Sequence, residues 1–342
     1  MALLTHQVAS SAAAGGVIRE DVMSRVWDIS SIPLPFTDMI GSGSHSNRYT
    51  EWTEDTLQSP ITNNAQIDGA DITADQTAVG TRLGNCTQIS TKLVKITEQA
   101  QAADSIGNQA KLSYQLSQRQ KELRRDVEAQ MLTLQASVLG DGSSTAGISA
   151  GIGAQLKTNI SLGATAVAGG FNTTTKLFVA PTAAGGTKRA LSETTIRDIL
   201  QKVYQEGGNT RCAMARPPVI RKLSEYLFGT TARVANIQSE ATNNRATTAY
   251  GAVNVFVTDF GQVIDLISNR IQPTDATAVS SMYFLDPTHL ELSLMKGYRV
   301  EPLAKTGLSD KRMMAVDYSL KVLNEKSQGV IYAIDEALSV VA

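Results

Sequence analysis

The sequence predicts an α+β fold, and three observations indicate it. The first is a long amphipathic helix over residues 108–139, near the middle of the 342-residue chain. The second is a polar front part rich in glycine, serine, threonine and asparagine, and the third is a strand-rich end from residue 281 onward. The helix would be about 48 Å long, whereas a compact chain of this size has a radius of gyration of roughly 20 Å. We therefore expect a subunit that neighbouring copies complete.

The first part of the chain is predicted to be an arm without regular structure. Residues 1–20 are rich in alanine, serine, glycine and threonine, which is typical of a flexible terminus. Residues 21–41 follow as an extended strap, because Pro33 and Pro35 favour extended backbone and exclude a helix there. The apolar anchors of this strap are Trp27, Leu34 and Phe36.

Residues 41–96 are predicted to form an extended hairpin. Residues 48–57 alternate apolar and polar side chains as a strand does, and so do residues 90–97. The polar, turn-rich residues 58–89 between them would be unusual as a loop inside a compact domain. A hairpin that lies across another subunit explains this composition better.

The long helix has an apolar stripe along one face. The stripe consists of Leu112, Leu116, Leu123, Val127, Met131, Leu134 and Val138. The opposite face carries Gln118, Lys121, Glu122, Arg125 and Glu128. Arg124 and Glu128 are four residues apart, so we expect them to form an ion pair on the helix surface. Asn108 is the predicted N-cap, and Gly140 closes the other end.

The rest of the chain alternates helices and strands before it ends in strands alone. Residues 140–187 are rich in glycine, alanine and threonine and predict a loop with short elements. The predicted helices span residues 192–206 and 218–228. The predicted strands span residues 211–215, 254–259, 262–268, 281–286, 289–294, 298–304, 313–324 and 329–334.

The composition excludes several classes of protein. Lysine and arginine number 31 against 32 aspartate and glutamate residues, which argues against a dedicated nucleic-acid binder. The two cysteines, Cys86 and Cys212, are far apart and are expected to be small buried residues of a reducing compartment. No apolar run reaches the ~18 residues of a membrane span, and no basic region precedes Arg19. We expect a soluble protein made in the cytoplasm.

Catalytic and metal-binding motifs give only weak signals. Residues 147–151 read GISAG, which matches a nucleophile elbow with Ser149 as nucleophile, but a loop precedes them where the elbow needs a strand. His289 is the only histidine downstream and is better explained as a surface residue of a strand. The three histidines are scattered, and the acidic residues lack the spacing of a calcium loop. We therefore expect no enzyme activity, no cofactor and no metal.

Four blocks of sequence resemble one group of tailed-bacteriophage major capsid proteins, those with the Hong Kong ninety-seven fold. The blocks are SRVWDISSIPLPFTDMIG at 24–41, YTEWTEDTL at 49–57, AKLSYQLSQRQKELRRDVEAQMLTLQ at 110–135 and the segment that begins FLDPTHLELSL at 284. They occur in the order of that family and together cover most of the chain.

The resemblance implies a division of the chain. Residues 1–40 would be the N-terminal arm and 41–96 the extended loop, both reaching over adjacent subunits. Residues 97–187 would be the peripheral domain, with the spine helix 108–139 and the glycine-rich loop. Residues 188–283 would be the axial α/β domain at the five- or six-fold axis, and 284–342 the returning peripheral strands.

The resemblance also implies a function. The chain would assemble into hexamers and pentamers of an icosahedral phage head around double-stranded DNA, which it would contact without sequence specificity. A portal protein at one vertex is the expected partner, with scaffold or decoration proteins left open, and assembly would occur in the bacterial host cytoplasm. The alternative is the shell of a non-viral nanocompartment of the same fold, which encloses enzymes.

Charge suggests where subunits touch. Residues 41–90 carry six acids and two bases, whereas the spine helix concentrates basic residues. Because the extended loop of this fold crosses the spine region of a neighbour, we expect the two surfaces to face each other. The contact candidates on the loop are Glu51, Trp52, Glu54 and Asp55, with Trp52 as apolar anchor. Those on the helix are Arg119, Lys121, Arg124 and Arg125.

Overall fold

The structure, a computed structural model, describes residues 33–55, 57, 60–63, 65–69, 71, 80–103, 111–182, 186–229, 255–274, 279–305 and 307–341. The predictions for residues 1–32 and for an N-cap at Asn108 lie outside these residues. The chain divides into two compact units. Of the described residues, the smaller unit contains 92–103, 111–122 and 300–314, and the larger unit contains the others.

The elements follow one another as helices and strands of mixed order. The helices are α1 (Pro35–Met39), α2 (Glu98–Ala102), α3 (Lys111–Met131), α4 (Ile152–Gln155), α5 (Glu193–Gln205) and α6 (Pro217–Gly229). The strands before α5 are β1 (Gly41–Ser44), β2 (Tyr49–Glu54), β3 (Thr81–Cys86), β4 (Gln88–Thr97), β5 (Ile160–Ser161), β6 (Gly170–Asn172) and β7 (Leu177–Val179). The later strands are β8 (Cys212–Ala215), β9 (Val255–Val257), β10 (Val263–Ser268), β11 (Ser280–Leu285), β12 (Leu290–Pro302), β13 (Ser309–Val322) and β14 (Gly329–Ile334).

Helix α1 corrects the prediction that Pro33 and Pro35 exclude a helix. Pro35 is the first residue of α1, where a missing N–H costs nothing because the first turn has no intrahelical acceptor for it. The side chain of Phe36 is 0% exposed, so this short helix is a buried anchor rather than an extended strap.

Helix α3 confirms the predicted helix but ends earlier, at Met131 rather than Leu139. Its 21 residues correspond to about 32 Å. The hydroxyl of Thr133 donates to the carbonyl of Gln130 at 2.7 Å and closes the last turn. After this turn the backbone bonds to other segments, since Val138 forms an antiparallel bridge with Ile148. The apolar stripe therefore continues beyond the helix as extended chain.

The hairpin also differs from the prediction. Strand β2 pairs antiparallel with β3, so residues 81–86, predicted as loop, form its second strand. A four-stranded sheet has the order β1-β12-β13-β4. In it, β12 is one strand of 13 residues where two were predicted, because Gly297 does not interrupt it.

A six-stranded sheet of order β5-β14-β11-β8-β10-β9 belongs to the larger unit. Helices α5 and α6, predicted at 192–206 and 218–228, are confirmed within two residues at each end, and their apolar faces share one core with this sheet. On the other face, the hydroxyl of Tyr283 donates to the carbonyl of Leu132 at 3.1 Å and that of Tyr332 to Gly153 at 2.6 Å. Strands β5 and β14 come from outside residues 188–283, so the sheet is not confined to that segment.

None of the helices in the described ranges is long and apolar enough to cross a membrane.

Candidate functional site

The hairpin β2–β3 positions the acidic contact candidates. Tyr49 pairs with Cys86 at the base of the ladder, and Glu54 pairs with Thr81 at its far end. The carboxylate of Glu51 forms a salt bridge with Arg82 on the opposite strand. Both side chains are exposed enough for solvent to screen the pair, so it contributes little to stability. In the subunit the Glu51 carboxylate is directed toward Arg82.

Trp52 packs within its own subunit. Its ring stacks on Phe178 with the centroids 6.3 Å apart, and Phe171 contacts Phe178 edge-on at 5.2 Å. The buried residues of this cluster are Ala150, Ala154 and Phe178. The indole N–H is buried and has no hydrogen-bond partner in the described part of the chain. In the subunit Trp52 thus fixes the hairpin to strand β7, and its role as an anchor between subunits stays a prediction.

The two other acids differ in their surroundings. Glu54 is half-buried, and burial raises the pKa of its carboxyl above the usual value, with Glu325 contributing through like-charge repulsion. Asp55 is exposed at the point where the ladder ends. Glu51 and Asp55 are thus the exposed acids of this segment, and Glu54 between them is partly buried.

The basic candidates lie along α3. Arg119 donates to both carboxylate oxygens of Glu122 at 2.6 and 2.5 Å. Arg124 is exposed, and its guanidinium lies over the ring of Tyr298 at 5.5 Å from the centroid. Lys121 is half-buried and Arg125 is exposed. Arg124 and Arg125 thus form an exposed basic pair at the middle of the helix.

The sequence placed Glu128 on the solvent-facing side of the helix and in an ion pair with Arg124, and both predictions are wrong. The side chain of Glu128 is 0% exposed. The carboxylate accepts hydrogen bonds from the backbone N–H groups of Phe36 and Thr37 at 3.0 and 2.8 Å, and from the Thr37 hydroxyl at 2.5 Å. Asn269 Nδ2 donates a further bond at 2.7 Å. Glu128 thereby satisfies the free N–H groups of the first turn of α1 and fixes that helix to α3.

The GISAG segment is structural. Ser149 is 2% exposed, and its hydroxyl accepts hydrogen bonds from Asn85 Nδ2 at 3.1 Å and from the Leu320 amide at 3.3 Å. His289 instead contacts Asp286, with Nδ1 at 2.9 Å from Oδ2. Ser149 and His289 thus each have structural partners of their own.

Asn85 connects the hairpin base to two other segments. Its Nδ2 donates to the Leu320 carbonyl at 2.8 Å, and its Oδ1 accepts from the Ala150 amide at 2.9 Å. The side chain is 0% exposed. Sequence reasoning missed both Asn85 and Glu128, because their partners are distant in sequence.

The cysteines agree with the prediction of buried thiols. Both are free, and burial raises the pKa of Cys86 to about 11 and that of Cys212 to about 12. Neither thiol is therefore ionised near neutral pH. Within the described residues, no group of three or more histidine, cysteine, aspartate or glutamate side chains is arranged to hold a metal ion.

Comparison with known proteins gives one family match. A model of the family described as SU10 major capsid protein matches residues 4–335. The major capsid protein of Escherichia phage Phieco32 is 27% identical over 326 residues, which is 87% of this chain and 89% of that protein.

Solved structures of low sequence identity share the fold. The capsid of a native GTA particle has a TM-score of 0.60 and 10% identity, over 96% of this chain and 100% of that one. A structure from Mycobacterium phage Adephagia has a TM-score of 0.56 and 7% identity, over 96% and 98%. The holo-SrpI encapsulin complex of Synechococcus elongatus PCC 7942 has a TM-score of 0.55 and 9% identity, over 99% and 98%.

Proposed function

The chain belongs to the SU10 major capsid protein family, and we propose that it forms the hexamers and pentamers of an icosahedral phage head that encloses double-stranded DNA. It is a phage major capsid protein with the Hong Kong ninety-seven-type α+β fold, as the resemblance predicted. The family match over nearly the whole chain carries the proposal.

In the proposed head, different segments of the chain have different positions in the shell. Residues 1–40 and 41–96 reach over adjacent subunits, and residues 188–283 lie at the five- or six-fold axes. The spine helix and the segment 284–342 belong to the peripheral domain. Assembly occurs in the host cytoplasm, with a portal protein at one vertex and the DNA held without sequence specificity.

A nanocompartment shell is the weaker candidate. The encapsulin is 9% identical in sequence to this chain, and this similarity shows a common fold but not a common cargo. The family match and the relative of 27% identity are both phage capsid proteins.

The proposed contact joins the acidic hairpin of one subunit to α3 of the next. Residues 41–90 carry a net charge of −4, from six acids and two bases. Arg124 and Arg125 present an exposed basic pair. Exposed pairs contribute only about 0–1 kcal/mol each, but every subunit of a closed shell repeats the same contact. We expect these charges to set the register and rate of assembly more than subunit stability.

Reversal of both arginines tests this contact. We expect Arg124→Glu with Arg125→Glu to lower the rate of shell formation by roughly tenfold or more, because acids would then face acids. The subunit should keep its circular dichroism spectrum, since both side chains are exposed. Light scattering measures assembly, and moderate salt should slow the wild type by screening the attraction.

A matched control and a rescue make the test specific. Arg221 is also an exposed helical arginine, with 79% of its side chain accessible, and Arg221→Glu should leave the rate unchanged. Adding Glu54→Lys and Asp55→Lys to the double reversal should restore assembly. Glu51 is left intact because it already pairs with Arg82. Normal shell formation by the arginine double variant would refute the pairing.

A further inference from the structure

A cleft at the base of the hairpin, here called the basal cleft, has the size of a small-molecule site. Its volume is ≈ 420 Å³, within the range of about 300–1,000 Å³ that such sites occupy. Three segments of the larger unit form its walls, namely residues 86–89 where β3 meets β4, the loop 139–147, and residues 295–296 of β12. The acidic and basic contact candidates of the hairpin and of α3 do not line it. The basal cleft is therefore separate from the contact between subunits proposed above.

The loop 139–147 is held in place by its own contacts. Asp141 Oδ1 accepts hydrogen bonds from the amides of residues 143–145 at 2.8, 2.9 and 2.8 Å. A Cβ atom on Gly147 would lie only 2.8 Å from the carbonyl oxygen of Thr87, so the loop packs against the junction of β3 and β4 as closely as glycine allows. The basal cleft is thus largely preformed, as small-molecule sites usually are.

The walls of the basal cleft contain apolar side chains that remain in contact with solvent. Ile89 and Leu139 line it and are 65% and 54% exposed. Met295 adds a third apolar side chain and is partly exposed. Apolar surface left in water costs free energy, which the apolar part of a ligand would recover by covering it.

The charges of the basal cleft favour an anion. Arg48 and Lys296 line it and are exposed, and Arg48 donates a hydrogen bond to the carbonyl of Gly140, which holds its guanidinium against the loop. The lining carboxylate of Asp317 is 5% exposed and pairs with Arg299 at 3.4 Å. The two exposed cations are therefore the charges that an incoming ligand would meet.

The charge of Arg48 also acts on the inner wall. Burial raises the pKa of the Cys86 thiol to about 11, and the nearby Arg48 opposes that rise. A cationic ligand would be repelled by Arg48 and Lys296, and a neutral ligand would cover them without supplying a counter-charge. An anion with an apolar body matches both the charges and the walls.

We propose that the basal cleft binds one free small molecule that carries an acidic head group on an apolar body. The head group meets Arg48 and Lys296, and the body covers Ile89 and Leu139. This site goes beyond the proposed function and does not depend on it. Because the ligand would contact the base of the hairpin, the loop 139–147 and β12 together, its binding should slow amide exchange at the base of the hairpin.

Two fluorescent dyes with the same apolar rings test the inference. Anilinonaphthalene sulfonate carries an acidic group, whereas phenylnaphthylamine lacks it, and both become brighter in apolar surroundings. In titrations of the full-length subunit we expect the sulfonate dye to saturate at about one molecule per subunit and to bind about tenfold more tightly than the neutral dye.

Removal of the two cations tests the contact with the head group. Arg48→Met with Lys296→Met keeps unbranched side chains and removes both charges. We expect the dissociation constant of the sulfonate dye to rise about tenfold, at about threefold per exposed charge, and that of the neutral dye to change less than about twofold. Lys296→Met alone should raise the first constant about threefold. It keeps the hydrogen bond from Arg48 to Gly140, so it tests the site even where the double variant is poorly folded.

Replacement of Ile89 tests the apolar wall. Ile89→Ser should weaken both dyes about threefold, because both bury their rings against this side chain. Leu338→Ser is the matched control, since Leu338 is also exposed, at 46%, but does not line the basal cleft. That variant should bind both dyes as the wild type does.

A charge-matched control decides whether the cleft itself is the site. Arg221→Met with Lys305→Met also removes two exposed cations, with 79% and 62% of their side chains accessible, from outside the basal cleft. Both affinities should stay unchanged. Equal losses in the two double variants, unchanged binding by Lys296→Met, or dye binding that never saturates overturn the inference. So does co-flotation of the wild type, but not of Lys296→Met, with phosphatidylglycerol vesicles, which would assign the cleft to a membrane surface. Each of these results leaves the proposed function standing.

Discussion

Replacement of Glu128 by alanine is expected to destabilise the subunit by about 3–5 kcal/mol, because several buried donors would each lose their acceptor at a cost of about 1–3 kcal/mol. The variant loses the acceptor for Phe36 N–H, for the Thr37 amide and hydroxyl, and for Asn269 Nδ2. Phe36 is 0% exposed, so water cannot replace the lost acceptor without opening the structure. Removing one partner from buried polar groups costs their full desolvation. Denaturant unfolding of the unassembled subunit measures the loss.

The location of the loss is also expected to be specific. Amide exchange should accelerate first at residues 36–40, because α1 is held to α3 through the Glu128 carboxylate. Glu122→Ala is the matched control on the same helix, where the acid pairs with Arg119 and is 36% exposed. That change should cost no more than about 1 kcal/mol. If both alanine variants proved equally stable, Glu128 would not be the anchor of α1.

Replacement of Asn85 by alanine should cost about 2–4 kcal/mol. Its amide joins the hairpin to Ala150 and to Leu320, and all three groups are buried. The change leaves the Ala150 N–H and the Leu320 carbonyl without this partner in a region that excludes water. Beyond the loss of stability, we expect the hairpin base to loosen, with faster amide exchange at Cys86, whose N–H also bonds to Asn85.

Asn209 provides the control for Asn85. Its side chain is exposed, and the side-chain Oδ1 accepts a hydrogen bond from Gln262 Nε2 at 3.2 Å. Asn209→Ala should therefore change the free energy of unfolding by less than about 0.5 kcal/mol. An Asn85→Ala variant as stable as Asn209→Ala would show that the network does not hold the hairpin.

Local sequence signals were sufficient where the neighbours in sequence decide the structure. Helix α5 was predictable because Ile196, Ile199, Leu200 and Val203 follow a helical period, and all four are buried. Gly207, with φ of +90°, follows the end of this helix. The apolar strands β11 and β14 were equally clear, and both are buried along their whole length.

Non-local partners explain the errors. The stripe of α3 continues in sequence to Val138, but that residue bonds to Ile148 instead of extending the helix. Strand β3 was predicted as loop because glycine and asparagine, here Gly84 and Asn85, are uncommon in strands. The strand forms because β2 pairs with it. Glu128 was assigned to the polar face of the helix and to a pair with Arg124, four residues away, because nothing nearby in sequence indicated the amides of Phe36 and Thr37. The contact between the hairpin and the helix was predicted from charge and stays a prediction.

Cryo-electron microscopy of purified particles tests the central claim most directly, because it shows both the shell and its contents. We expect closed icosahedral shells built from rings of six and five copies, large enough for a double-stranded DNA genome, with the hairpin of each subunit lying over a neighbour. Small closed shells filled with protein cargo, or subunits that form no shell, would contradict the account.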